Sequence, residues 1–485
     1  MSRFLPLLIF AIWLYGPADA AGAWRLGPAL GLFLGVYALL VLAMAVCSRL
    51  LRRTPMDDLQ RRLRRFNRMM SAARILVPAW FAVGVYCLGW KAIVAGWLSH
   101  TPLGRPDLYT PGLLLGSLPA FLALAGLIWA QYPAERSLRE QNILIQLNED
   151  LPFCAPPGFW SYFQVKIRLQ ILFALAPAIV LTGLRDVLWV TLPPMLDHVS
   201  WVRYHPDWMD AIISLPATVL VLLLAPVILR YVLQAHSMPD SPLRRRLEEI
   251  CRRHHIGYRD VLLWRTSHQI SNAAVMGLIP QARYILLSDL LLETMSDQQI
   301  EAVFAHELGH VIHRHLYWLA AAVVALLLIF SGPGQWLADR LASLRHPLPD
   351  SIQWVVLGGG ALAIFALVFG YVSRRFEQQA DVFAARTIQG LEQPPTHAAA
   401  FVSAQGAAVF CSALQRIAAV NNIPVAAPSW SHGSIYKRMR FLSQLGQDPA
   451  KTAHFDRSMF RLYLALSAWL LLSGIWLFSL LRGSA

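Results

Sequence analysis

Long apolar stretches, separated by short polar or arginine-rich segments, set the rhythm of this chain. Eight of them, at 27–48, 75–98, 111–130, 169–192, 210–229, 317–336, 352–372 and 460–481, have the length of a bilayer-crossing helix, which takes about 20 residues. The first, Gly27 to Ser48, carries no charge, whereas Arg185 and Asp186 lie inside the fourth. Lys91 falls inside the second, where it is expected to snorkel to the outer interface; the alternative is a polar chamber shared with Asp186. A shorter apolar run, Phe4 to Tyr15, follows Arg3, and Ala18-Asp19-Ala20 has the small-residue spacing of a cleavage site. Residues 1–26 therefore read as a signal peptide, with an N-terminal anchor as the alternative. Either reading leaves Ala21 outside.

Composition agrees with this pattern. Of 485 residues 56% are hydrophobic and 14% charged, with a mean hydropathy of +0.47, whereas soluble domains carry roughly a quarter charged residues. The net charge of +14 would suggest a nucleic-acid partner, but the placement of the charges argues against one. Arg49, Arg52, Arg53, Arg61, Arg62, Arg64, Arg65, Arg68 and Arg74 crowd between the first two spans, which marks that loop as cytoplasmic. Counting spans from there puts 131–168 and 230–316 inside and 99–110 and 193–209 outside. The outer loops hold few basic residues, Arg105 and Arg203 among them. The strong preference for arginine over lysine hints at a GC-rich bacterial genome. Cys47, Cys87, Cys154, Cys251 and Cys411 are scattered and odd in number, with neither a disulfide framework nor metal-ligand spacing.

The chemistry sits in His306-Glu307-Leu308-Gly309-His310. Residues four apart share a helical face, so both imidazoles can reach one metal ion while Glu307 stands ready to take a proton from a water beside it. Ser296-Asp297-Gln298-Gln299 supplies a capping box and an acidic first turn for the helix, which is expected to run on through His315 into the span at 317. A catalytic zinc needs a third protein ligand. Two crossings return the chain to the same side at Ser373-Arg374-Arg375-Phe376-Glu377-Gln378-Gln379-Ala380-Asp381, where Glu377 and Asp381 are again four apart. Glu377 is therefore the expected third ligand. His313 and His315 are a lesser alternative for that place, and their other reading is packing at the membrane interface.

HELGH, a pair of spans and then SRRFEQQAD resemble the membrane zinc metallopeptidases of the HtpX and type I CaaX prenyl endopeptidase family, peptidase family M48. The resemblance extends upstream to Asn272-Ala273-Ala274-Val275-Met276-Gly277 and Arg283-Tyr284-Ile285-Leu286-Leu287-Ser288-Asp289. Downstream it takes in Ser431-His432-Gly433 with Arg438, and in all it covers about 235–445. Five spans ahead of HExxH fit the prenyl-protease branch better than HtpX. Gly433 stands where the family has proline, and the span at 460–481 is additional. The resemblance implies that Asp381 orients a ligand histidine, the alternative being a solvated helical carboxylate. It implies that the extended segment from Asn272 and Ala273 to Met276 pairs with substrate backbone, the alternative being an ordinary edge strand ahead of a turn at Gly277. It further implies that His432 and Arg438 stabilise the transition state, although Arg438, between Lys437 and Arg440, also reads as part of a basic cluster facing anionic lipid.

The expected fold is an all-α polytopic membrane protein of about seven or eight transmembrane helices, with an inserted α+β gluzincin-type zinc peptidase domain on the cytoplasmic face. Its expected parts are the leader or anchor at 1–26, a five-span bundle at 27–230, a catalytic region at 231–316, a transmembrane hairpin at 317–372, the segment with the third ligand at 373–459 and a last span at 460–485. The expected activity is zinc-dependent endoproteolysis of membrane-associated polypeptides with one zinc ion per chain: His306, His310 and Glu377 hold the metal and Glu307 is the general base. Protein quality control in a bacterial inner membrane is preferred over CaaX-type processing. A non-catalytic scaffold or transporter with a structural zinc would need a fourth ligand, which 373–381 does not offer, and would have no use for Glu307. An aminopeptidase would need a carboxylate near the motif to hold the substrate amine, and no GxMEN-like run occurs.

Overall fold

The computed structural model describes residues 5–17, 26–53, 59–105, 108–150, 152–196, 208–331, 340, 343, 350–390 and 401–483. The chain divides into two compact units, one formed by residues up to Met238 with Gly257–Thr294 and Ala419–Pro424, the other by Pro239–Ile256, Met295–Ala418 and Val425–Ala485.

The first unit begins with helices α1 (Leu5–Tyr15), α2 (Leu26–Arg53), α3 (Leu59–Tyr86), α4 (Trp90–Ser99), α5 (Thr110–Asn148), α6 (Phe159–Ile167), α7 (Phe173–Leu196) and α8 (Met209–Val232), with a π-helical turn, Arg168–Leu172, joining α6 to α7. Five stretches here are long and apolar enough to cross a membrane: Leu30–Arg53, Arg61–Tyr86, Thr110–Asn148, Phe159–Met195 and Met209–Val232. The apolar run expected at 75–98 is not one helix. It ends at Tyr86, and α4 begins after Gly89, whose φ of 69° no helix continues through. The short α1 packs into the helical core through Ile9, Phe10 and Trp13. A side chain at Gly116 would collide with the Trp13 indole at 2.3 Å, so this glycine lets the two helices close.

The charges inside the spans are used as helix caps. Asp186 accepts from the backbone N–H groups of Tyr109 (2.9 Å) and Thr110 (2.8 Å), at the positive end of α5. Lys91 Nζ donates to the carbonyls of Gly16 (2.7 Å) and Leu14 (3.3 Å), at the negative end of α1. The two charges thus cap the ends of different helices. Arg62, one of the arginines that marks the inner loop, is buried and donates to Gln141, Ser137 and the Leu51 carbonyl.

The unit also holds a four-stranded sheet of β1 (Ala235–Ser237), β2 (Asp260–Trp264), β3 (Ala273–Met276) and β4 (Tyr284–Ser288), in the order β1-β2-β4-β3. β2 and β4 are parallel, with Asp260 opposite Tyr284, and the outer pairs are antiparallel, with Ala273 opposite Leu287. Leu262, Trp264, Tyr284 and Leu286 bury one face of the sheet against Val165, Leu169 and Leu233. The extended segment expected up to Met276 is present as β3, an edge strand. The short helix α10 (Asp289–Thr294) follows β4 directly.

In the second unit, α9 (Pro242–Arg253), α11 (Asp297–Ile312), α12 (His315–Ser331), α13 (Asp350–Gly390), α14 (Ala404–Val420), α15 (Ile435–Gln447) and α16 (Pro449–Gly483) follow in order. Pro449–Trp476 is a sixth helix, among the described residues, of membrane-crossing length and apolarity. The expected capping box forms: Ser296 Oγ accepts from Gln299 N (3.4 Å) and Gln299 Oε1 accepts from Ser296 N (3.2 Å). The expected continuation of this helix into the next span does not. Arg314 turns left-handed (φ 54°), and α12 departs from α11 at 47°. The apolar stretch at 352–372 lies within α13, and most of the connection between α12 and α13 lies outside the described residues.

Candidate metal centre

Two helices build the centre. α11 presents His306 and His310 on one face, and α13 crosses it where Gly309 leaves room. A Cβ at Gly309 would stand 3.1 Å from Ala380 Cα and 3.2 Å from the Phe383 ring, so the glycine of HELGH sets how closely the helices approach. That approach brings Glu377 to the histidines. His306 Nε2 lies 3.3 Å from His310 Nε2, and each lies 3.6 Å from a Glu377 carboxylate oxygen. Nitrogen and oxygen ligands about 2.0–2.2 Å from a tetrahedral ion are about 3.4 Å apart. The three donor atoms are therefore spaced as zinc would space them, and the set fits the metal.

Each ligand is braced from behind. Asp381, fully buried one turn beyond Glu377, reaches His306 Nδ1 at 3.0 Å. Arg438, from α15, grips Asp381 through Nε (2.8 Å) and a second guanidinium nitrogen, and its third nitrogen stands 3.4 Å from Glu377. The His306 ring stacks on Phe410 of α14. His310 is braced by a residue that sequence reading did not assign to this role: its Nδ1 lies 2.9 Å from Nδ1 of His315, whose Nε2 lies 2.9 Å from Gln379 Oε1. The same Gln379 oxygen accepts from Tyr463 of α16 at 2.7 Å. His315 itself is sandwiched against Phe376, with ring centroids 4.3 Å apart. If His310 Nε2 is to keep its lone pair for a metal, one proton arrangement satisfies the chain: His310 Nδ1–H donates to His315, and His315 Nε2–H donates to Gln379. His315 is thus a support of the ligand set rather than a member of it, and His313 lies beside it against Phe383. A residue five positions on would point away from His310 in a continuous helix, and only the break at Arg314 turns it back.

The electrostatics follow from burial and these contacts. Burial alone would lower the basicity of His306, but the hydrogen bond and charge of Asp381 outweigh it and raise the pKa. His310, buried and beside the His306 charge, falls to about 3 and is neutral at physiological pH, as a metal ligand must be. Burial pushes Glu377 and Asp381 up, yet His432, His306 and Arg438 for the first, and Arg438 and His306 for the second, hold both below the ordinary carboxylate value. Both are therefore ionised. His432, the most exposed of the group at 62%, places Nδ1 2.8 Å from Glu377 Oε1. Glu307 sits beside His306 on α11, half-buried, and its charge is felt by Arg438.

Seven of the residues singled out from sequence, His306, Glu307, His310, Glu377, Asp381, His432 and Arg438, thus meet at one place. Asn272 and Ala273 belong to the sheet unit. Ala273 opens β3, and Asn272 just before it exchanges hydrogen bonds with Ser288. The side chain of Asn421 clamps the strand from Ser271, accepting from its N–H (2.9 Å) and donating to its carbonyl (2.7 Å).

An HExxH helix packed against a glutamate helix, in a chain of many apolar spans, defines a polytopic membrane protein with a candidate metal-ligand set of two histidines and a glutamate. Residues 237–445 match the model of Peptidase family M48. A CAAX prenyl protease 1 homolog of Arabidopsis thaliana is 28% identical over 247 residues, 48% of this chain and 53% of the relative. A second, of Oryza sativa subsp. japonica, is 26% identical over 255 residues, 49% and 55% of the two chains. The chain therefore spans about half the length of the curated relatives it matches. A solved structure of S. mikatae Ste24p aligns with 90% of this chain and 98% of its own, at 16% identity and a TM-score of 0.40, too loose a likeness to bear on the fold.

Proposed function

We propose that the protein is an integral-membrane zinc metalloendopeptidase of EC 3.4.24 type that hydrolyses membrane or membrane-proximal polypeptides. The observation that carries this reading is the ligand triad His306–His310–Glu377 with zinc-like spacing, braced by Asp381 and His315 and flanked by a glutamate that is not part of it. Three protein ligands leave a fourth position open, as catalytic rather than structural zinc sites do. When bound, the ion supplies Lewis-acid polarisation of the scissile carbonyl and a more acidic water. Glu307 takes the proton of the attacking water and returns it to the leaving amide nitrogen. His432 meets the oxyanion in this reading, which its exposure beside the triad supports. Arg438, 12% exposed and doubly bonded to Asp381, acts as a positioning residue for Asp381 and Glu377 and not as a lipid-facing cation. The outer edge of β3 is the candidate strand for pairing with substrate backbone. The arginine-rich loops support an active site on the cytoplasmic side, and the excess of arginine over lysine supports a bacterial inner membrane, where we place the protein in protein quality control. The similarity to proteins named CAAX prenyl proteases favours processing of a lipidated C-terminus as the second reading.

The test is cleavage of a membrane-anchored reporter by detergent-purified, zinc-loaded protein, wild type against Glu307→Gln. Cleavage by the wild type alone is expected. Equal cleavage by both would expose a contaminating protease, and no cleavage of any membrane-anchored or lipidated reporter would overturn the reading. Strict dependence of cleavage on a prenylated C-terminus would move the assignment to the second reading.

A further inference from the structure

A second cluster of metal-ligating side chains lies wholly within the first unit. Cys154 belongs to the proline-rich loop between α5 and α6, His268 to the loop between β2 and β3, and Glu293 to α10. More than a hundred residues separate the first from the others, yet Glu293 Oε2 is 3.2 Å from Cys154 Sγ and 3.2 Å from His268 Nδ1, and all three donors lie within 4.8 Å of one another. The histidine is held there by its own loop. Asp289 accepts from the N–H groups of Thr266 (2.9 Å) and His268 (3.3 Å) and from the Thr266 hydroxyl, which folds Ser267 and His268 into consecutive left-handed conformations. Side chains other than glycine adopt that conformation reluctantly, and such strain gathers at functional sites. The result aims an imidazole nitrogen away from solvent and at Glu293 without a well-directed hydrogen bond to satisfy it.

A small polar cleft adjoins the cluster. It is lined by Cys154, His268, Asn142, Gln146 and Thr294 and encloses about 30 Å³, which exceeds the 10–15 Å³ or so that one water needs. Arg139 also faces it, but its charge is engaged by Glu135 (3.0 Å) and the Gln269 carbonyl (3.0 Å).

We propose that Cys154, His268 and Glu293 bind a borderline-soft divalent cation, zinc foremost, with a water in the adjoining cleft as fourth ligand. Thiolate, imidazole and carboxylate are the three donor types zinc takes, and tetrahedral bonds of about 2.0–2.3 Å would set them roughly 3.4–3.6 Å apart, a few tenths wider than the two contacts to Glu293 and inside the 4.8 Å that spans the three donors. Binding releases one proton to solvent, from the Cys154 thiol, while Glu293 binds as the carboxylate and His268 through Nδ1 with its proton on Nε2. The ion would be a second one, beyond the single ion expected from the HExxH motif. It would tie the loop after α5 to the β2–β3 loop and α10. With Glu293 52% and His268 38% exposed, the ion would exchange readily with the surroundings.

The experiment is reconstitution of chelator-stripped, full-length protein with cobalt(II) alone. Wild type is expected to take up two equivalents and to show a thiolate-to-cobalt charge-transfer band, which the two-histidine, one-glutamate centre cannot produce. Cys154→Ser and His268→Ala should each lose the band and one equivalent while keeping the other equivalent, which also shows that they fold. His306→Ala should do the reverse, keeping the band. Wild type without the band, or a band that survives Cys154→Ser, would overturn the proposal, whatever the state of the HExxH centre.

Discussion

Two clusters in this protein present metal donors at similar spacing, and they differ in what stands behind the donors. At His306, His310 and Glu377 every ligand rests on a second group: Asp381 behind His306, His315 behind His310, and Arg438 bridging Asp381 and Glu377. Helices supply all of these groups. At Cys154, His268 and Glu293 two donors come from loops, the third is half exposed, and the Asp289 turn holds the His268 backbone. Donor spacing alone does not make a site of one character. The supporting groups fix tautomer, ring orientation and charge before an ion arrives, and so separate a centre that holds its metal from one that exchanges it.

That comparison can be broken in order of effect. Glu307→Gln should reduce peptide cleavage by about 10²–10⁴-fold, the usual contribution of a general base, while metal content stays at the wild-type level. Loss of metal together with activity would make Glu307 part of the ligand set and undo the assignment of roles. Arg438→Ala should lower unfolding stability by about 3–5 kcal/mol, read from denaturant or thermal unfolding in detergent, because it leaves fully buried Asp381 without its cation. Arg438→Lys should recover only part of this, since an ammonium cannot make the forked contact.

Asp381→Ala and His315→Ala sharpen the comparison by stripping the braces and leaving the ligands. Each should weaken zinc binding by about 10–100-fold in competition with a chromophoric chelator. Metal affinity unchanged in His315→Ala would mean that the contact between the two imidazoles is only packing. The smallest effect is expected of Gly309→Ala, whose methyl must push α11 from α13 at Ala380 and Phe383. Overpacking of this kind costs about 1–3 kcal/mol and should appear as a lowered unfolding midpoint.

Much of the centre was legible because its logic is local. The i, i+4 spacing of His306 and His310 follows from helix geometry alone, as does the capping box at Ser296. Glu377 could be reached by counting spans, since two crossings return a chain to the side it left. What stayed hidden depends on departures from regularity or on distant partners. A helix read straight through Arg314 would turn His315 away from His310, and the motif contains no proline or glycine there to announce the bend. Lys91 and Asp186 looked like costly charges inside spans, and nothing nearby in sequence reveals that their partners are the ends of α1 and α5. Cys154, His268 and Glu293 follow no spacing rule at all, because the fold alone brings them together.

By itself the sequence determined the membrane-spanning character of the protein, the helical face that carries HExxH, the extended segment ahead of Gly277 and Glu377 as the candidate for a third ligand. Those features follow from hydrophobic length, helical periodicity and topological parity, all of which act along the chain. The tertiary structure decided which groups brace the ligands, how closely α13 approaches α11 at Gly309, and where a second set of donors converges. Such outcomes turn on the direction of single hydrogen bonds and on tenths of an ångström between packed atoms, and a linear pattern does not encode them.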